Sequence, residues 1–211
     1  MAFLERKGGE AMKGSLKAFY SPREFYQEHR HVTNGFVVFL LFVILMVNSR
    51  MARNYVKAVP ADEILMLVVS ALLSGLVTLF LLSFIVKQTS KMLGGEGKTA
   101  KEHRMAYLWS NIPQVIGLLI MGVGSIFLGM KLFYPDKEKY WNLMTNGEAV
   151  AVDICWYLYG AFNIWAFVNW VINISELERI RKWHAFIAVF CAIIVLAVVI
   201  TPLLLILSLG M

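Results

Sequence analysis

Apolar residues in this chain come in long unbroken runs. No Asp, Glu, Lys or Arg falls between His31 and Arg50, between Glu63 and Lys87, between Arg104 and Lys131, between Asp153 and Glu176, or after Lys182. A bilayer core of about 30 Å takes about 20 helical residues to cross, so each gap is long enough to span it. Lipid offers no hydrogen bonds to a bare backbone, which makes segments of this length helices. The pattern predicts an all-α integral membrane protein. Its five transmembrane helices cover about residues 35–49, 64–86, 107–134, 149–175 and 183–208, within a domain of residues 34–211.

Two shorter segments precede the spans. Residues 1–17 scatter charges among Gly8, Gly9 and Gly14 without a periodic apolar face, and read as a flexible cytoplasmic tail. Residues 18–33 read as an interfacial amphipathic helix. Ser21 serves as its N-cap, Pro22 as its first helical residue and Glu24 as the return half of a capping box. Phe25, His29 and Val32 share one face, and Phe19, Tyr20, Phe25 and Tyr26 are expected at headgroup depth. The first 33 residues hold no apolar stretch of signal-peptide type.

Within the spans, small residues mark helix contacts, because close backbone approach replaces the hydrophobic drive that lipid removes. The second span carries Ser70, Ser74 and Thr78 at four-residue steps, with Gly75 beside them. The third carries Pro113, which is expected to kink it, then Gly117, Gly122 and the pair Ser125 and Gly129 at close-contact spacing. A short connection, Glu176 to Lys182, makes the fourth and fifth spans an antiparallel hairpin.

Composition agrees with this reading: 59% of the 211 residues are apolar and 16% charged, with a mean hydropathy of +0.65. Charge then supplies orientation. Of the 20 Lys and Arg residues, 14 fall in segments on the N-terminal side of the predicted membrane and 6 on the other, which places the N-terminus in the cytoplasm. The net charge of +6 points to anionic lipids at the cytoplasmic face and away from nucleic acid. Cys155 and Cys191 both sit in apolar segments, where Cys behaves as a small hydrophobe and builds no disulfide framework.

Candidate chemistry is sparse. Gly94, Gly95, Gly97 and Lys98, followed by Thr99, have the look of a phosphate-binding loop, but the glycine such a loop needs five residues before Gly97 is Met92. Glycines that cap the second span and permit a tight turn account for the segment better. Asp153 is the one acid inside an apolar segment, and it lies near the start of the fourth span, where a hydrated first-turn acid at the positive helix end is the ordinary reading. The sharper reading is a groove for a ligand or a lipid headgroup, since Asp153, Trp156, Gly160, Asn163, Phe167 and Trp170 recur at steps of three and four along one face. A metal shared between the His29/His31 and His103 segments lacks ligand spacing, and no nucleophile elbow or paired catalytic acids appear. The expectation is a protein without catalytic residues, metal or cofactor.

The stretch Phe19-Tyr-Ser-Pro-Arg-Glu-Phe25, the loop Leu93-Gly-Gly-Glu-Gly97, Tyr107 followed by Pro113 and the Trp-rich fourth span together resemble the YIP family of Ypt/Rab-interacting membrane proteins, over roughly residues 16–210. That resemblance implies five spans with the N-terminus inside, in a short, prokaryotic-type member of a cytoplasmic membrane. Eukaryotic members carry a long acidic N-terminal region with an Asp-Leu-Tyr-Gly-Pro motif and associate with Rab GTPases. Here the corresponding segment is short and basic and lacks the motif, so Rab binding does not carry over. The expected function is non-enzymatic: membrane organisation, a trafficking-like role or partner binding, through lipid, a homo-oligomer or another membrane protein. The alternative is a small transporter, channel or lipid scramblase with a polar path along the fourth span.

Overall fold

The computed structural model describes residues 21–29, 43, 61–133 and 144–209, and everything described in regular structure is helical. The tail and the expected first span over residues 35–49 lie outside the described residues, Val43 excepted. In chain order the helices are α1 (Pro22–His29), α2 (Ala61–Met92), α3 (Ala100–Ser110), α4 (Ile112–Leu128), a 3-10 turn (Gly129–Phe133), α5 (Asn146–Glu178) and α6 (Lys182–Leu209). Taken through its break, the segment Ala100–Leu128 is long and apolar enough to cross a membrane, and so is α5.

The expected third span is interrupted. The helix ends at Ser110 and resumes at Ile112, so Pro113 falls in the first turn of α4, where a missing backbone N–H costs nothing. It therefore starts a helix where an interior kink was expected. At the far end Gly129, with φ at +57°, closes α4 and turns the chain into the 3-10 segment.

Two Thr-x-x-Glu capping boxes set helix starts. Before α3, the Thr99 N–H donates to Glu102 Oε2 at 2.8 Å and the Glu102 N–H returns to Thr99 Oγ1 at 3.3 Å. Before α5, Thr145 and Glu148 repeat the exchange at 2.9 and 3.3 Å. Each cap is worth about 1 kcal/mol. Because α5 begins at Asn146, Glu148 is its first-turn acid and Asp153 lies about two turns further in.

By contacts the chain divides into two units, one holding residues 74–110 and 169–209 together with α1, the other residues 111–168 with the start of α2. In the second unit α4 and α5 run antiparallel around Met121, Leu132, Val152 and Tyr159. Gly117 faces Tyr159 and Phe162, while Gly124 faces Cys155 and Leu132. In the first unit α1 docks through Phe25, whose ring meets Trp109 edge-on at 5.7 Å, and through an ion pair from Arg23 to Glu176 at 2.9 Å. Phe25 and Tyr26 are thus buried, so their rings meet other side chains of the protein. With only eight residues, α1 covers its aromatic face by packing on Trp109.

Candidate functional site

Around the end of α5 the structure gathers charge in a way that the apolar pattern did not announce. α2 stops in a Schellman motif: Gly95 N–H bonds Ser90 O at 2.9 Å and Gly94 N–H bonds Lys91 O at 3.2 Å, with Gly94 at φ +89°. α5 stops the same way, Ile180 N–H bonding Ser175 O at 3.2 Å, but its left-handed residue is Arg179, at φ +52°. An arginine costs more than glycine in that conformation. Its guanidinium pairs with Glu96 at 3.0 Å.

Between these two caps, the loop after α2 folds over Glu178, the last residue of α5, whose side chain is fully buried. The Gly97 N–H donates to Glu178 Oε2 at 2.7 Å and the Lys98 N–H to Oε1 at 3.1 Å. The Glu96 N–H adds a bond to the Glu178 carbonyl at 3.2 Å. Successive backbone N–H groups converging on one anion make a nest, the device with which phosphate loops hold their ligand. Here the anion is the chain's own carboxylate.

The glycines serve this contact in different ways. A Cβ at Gly95 would lie 2.7 Å from Glu178 Oε2 and 2.9 Å from Ser90 O, so the backbone comes closer than any side chain would allow. A Cβ at Gly97 would meet only the Lys91 side chain, at 4.0 Å, so glycine is needed there for its φ of +73°.

His103, also fully buried, completes the pocket from α3. Its Nδ1 lies 3.0 Å from the Thr99 carbonyl, which can only accept, so Nδ1 carries a hydrogen. Nε2 then approaches Glu178 Oε1 at 3.0 Å. The contact falls short of hydrogen-bond geometry, and burial pushes the His103 imidazole below its ordinary value against the smaller opposing pull of the Thr99 carbonyl and of Glu178. On the outer side of the loop Glu96 bridges Lys98 at 2.8 Å and Arg179. The Lys98 hydrogen bond holds the Glu96 carboxyl below the usual carboxylate range; desolvation opposes it, and the attraction of Arg179 adds to the lowering.

The side chains of the expected stripe on the fourth span have the following contacts. Trp156 Nε1 donates to the Leu132 carbonyl at 3.0 Å and its ring meets Tyr159 edge-on at 5.5 Å. The Asn163 amide donates to Tyr159 O, one turn back on its own helix, at 2.8 Å. Gly160 has open space beside it, and Asp153 and Phe167 are half-buried. Trp170 is buried and lies edge-on to Tyr107 at 4.8 Å. Asn173, on the same stretch, bonds the Ala106 carbonyl at 3.2 Å.

Of the expected packing positions, Gly75 is buried and Thr78 half-buried, while the side chains of Ser70 and Ser74 lie outside the description. Ser125 turns its hydroxyl onto Gly122 O at 2.7 Å, and both Gly122 and Gly129 face open space. The Ser125–Gly129 spacing therefore makes no close contact among the described residues, and Gly117 and Gly124 make it instead. Glu178 was absent from the sequence reading altogether. The stripe does point to it: two further four-residue steps beyond Trp170 reach Ile174 and Glu178, both with no exposed surface.

A comparison with family models matches one described as the Yip1 domain, over residues 16–204. Searches of curated proteins and of solved structures find no significant match.

Proposed function

Since the chain belongs to the Yip1 domain family of membrane proteins, we propose that it acts as a non-enzymatic membrane-organising component. In this reading it presents a rigid cationic surface to anionic lipid headgroups at the cytoplasmic leaflet. The observation that carries it is the buried Glu178. By binding the Gly97 and Lys98 amides it fixes the loop between α2 and α3, and it does so beside exposed Lys91, Lys101, Arg181 and Lys182. A preorganised surface loses little entropy when it meets its partner. Each cation near an anionic leaflet contributes about 1 kcal/mol. Trp183 is largely exposed next to Lys182 and stacks on Phe186 at 5.2 Å, an aromatic of the kind enriched at headgroup depth.

The same reading has the chain cross a prokaryotic cytoplasmic membrane five times, with the N-terminus and the Gly94–Lys98 loop inside. The charge asymmetry supports it, and cysteine labelling of Gly94 from outside intact cells would overturn it. For the surface itself, native mass spectrometry in equimolar phosphatidylglycerol and phosphatidylcholine should show retained phosphatidylglycerol. Replacing Lys91, Lys101, Arg181 and Lys182 with Gln should remove the preference. Equal retention of both lipids by the native chain would refute the proposal.

A further inference from the structure

A groove runs along the other unit, between α4 and the first third of α5. It is a shallow, open groove of about 450 Å³, and its lining is almost entirely apolar. Gly124 and Cys155 form its floor, where the absent Cβ lets the helices meet: a Cβ there would stand 3.0 Å from the Cys155 sulfur. Leu119, Val123 and Phe127 form an outer wall, all well exposed, Phe127 to 81%.

Three features define the occupant. The lining runs from Ile116 to Leu128 on α4, about 18 Å of helix at 1.5 Å per residue. One leaflet of the hydrocarbon core is about 15 Å deep. The groove therefore matches the acyl layer of a single leaflet, and it lies on helices that are long and apolar enough to cross one. One turn beyond its Leu128 and Ala151 end stands Lys131, half-buried and bound to Glu148 Oε1 at 2.6 Å. An ammonium group has three donors, so this bond leaves Lys131 able to meet a phosphate oxygen.

We propose that this groove is a binding site for one acyl chain of a phospholipid, drawn from the leaflet on the Lys131 side, with the lipid phosphate at Lys131. The site is independent of the cationic surface of the preceding section, since it uses none of its residues. It would survive the failure of that reading.

The test uses the full chain in nanodiscs of phosphatidylethanolamine and phosphatidylglycerol, doped with a phosphatidylethanolamine that carries a photoactivatable diazirine in one acyl chain. Cross-linked peptides are mapped by mass spectrometry. Phe190 and Val195 on α6, both exposed, report ordinary bilayer contact. Labelling of the Ile116–Leu128 peptide should clearly exceed that of the α6 peptide, because a chain seated against Gly124 and Cys155 gains packing contacts that bulk lipid does not supply. The rim substitution Val123→Trp should abolish the excess and leave α6 labelling unchanged. Because the native chain alone gives the first result, a poorly folded variant would not rescue the proposal. Equal labelling of the two peptides, or an excess that Val123→Trp leaves intact, would overturn it. So would absence of label in the groove together with disulfide cross-linking between two copies carrying Val123→Cys, which would mean that a second chain covers this face.

Discussion

The two halves of α5 are held by opposite means. Near its start the helix packs by shape: Val152 and Tyr159 join Met121 and Leu132, and Gly124 lets Cys155 come close. Near its end it is held by charge and hydrogen bonds, with a buried carboxylate that takes two backbone amides and a histidine. Shape is forgiving, because neighbouring side chains shift by a few tenths of an ångström when a methyl is added or lost. A buried charge is unforgiving, since every partner taken away leaves the others without solvation.

That contrast makes graded predictions for unfolding in detergent. Glu178→Ala should have the largest effect, about 3–5 kcal/mol, because it leaves the buried Gly97 and Lys98 N–H groups and the His103 ring without their partner, at about 1–3 kcal/mol for each unsatisfied group. Glu178→Gln should fall between it and the native chain. A loss under about 1 kcal/mol for Glu178→Ala, within the range of exposed ion pairs, would break the comparison outright. Gly95→Ala comes next, at about 1–3 kcal/mol, because the new methyl meets the backbone oxygen of Ser90 as well as the Glu178 carboxylate.

Gly124→Ala tests the other half of the helix. Its methyl would meet a side-chain sulfur that can move, so a loss near 1 kcal/mol is expected. Cys155→Ala should recover most of it in a double-mutant cycle. Gly160→Ala, with open space beside it, should instead stabilise the helix by about 0.5–1 kcal/mol. Equal losses at Gly124 and Gly160 would show that shape does not govern this half.

The smallest effect concerns pH. The Glu96 carboxyl is lowered by Lys98 and Arg179, so its contribution is complete above the ordinary carboxylate range and is lost as pH falls through the lowered value. Protection factors of the Gly94–Lys98 amides, corrected for the slower intrinsic exchange in acid, should fall on acidification, and Glu96→Gln should remove that fall.

Runs of apolar residues make the helical class and membrane character legible, because bilayer thickness dictates a length that any reader can count. Detail at the helix ends is less legible. The third span is broken at Asn111, although Pro113 gave a warning two residues later; proline tolerates the first turn as readily as it breaks an interior one. The Thr99–Glu102 and Thr145–Glu148 boxes are written in the sequence as Thr-x-x-Glu, a pattern too short to mark a helix start without the chain reversal that precedes it. Glu178 is the instructive case. It stands two residues from Glu176, which pairs with Arg23 near the surface, and composition gives the two acids the same standing. Only the three-dimensional meeting with the glycine loop decides which one is buried. The stripe from Asp153 to Trp170 was legible as a pattern, but no pattern says that Asn163 will bond its own helix.

One consequence concerns nucleotides. The Gly94–Thr99 segment looks like a phosphate loop and does offer its amides to an anion, yet that anion is tethered to the same chain. A tethered ligand competes as though present at about millimolar concentration or above. A free phosphate would also have to enter a space that Glu178 and His103 already fill. The loop is thus permanently self-occupied. Adding ATP or GTP should leave the melting temperature unchanged, while a small anion such as acetate offered to the Glu178→Gly chain could restore part of the stability that the missing carboxylate supplied.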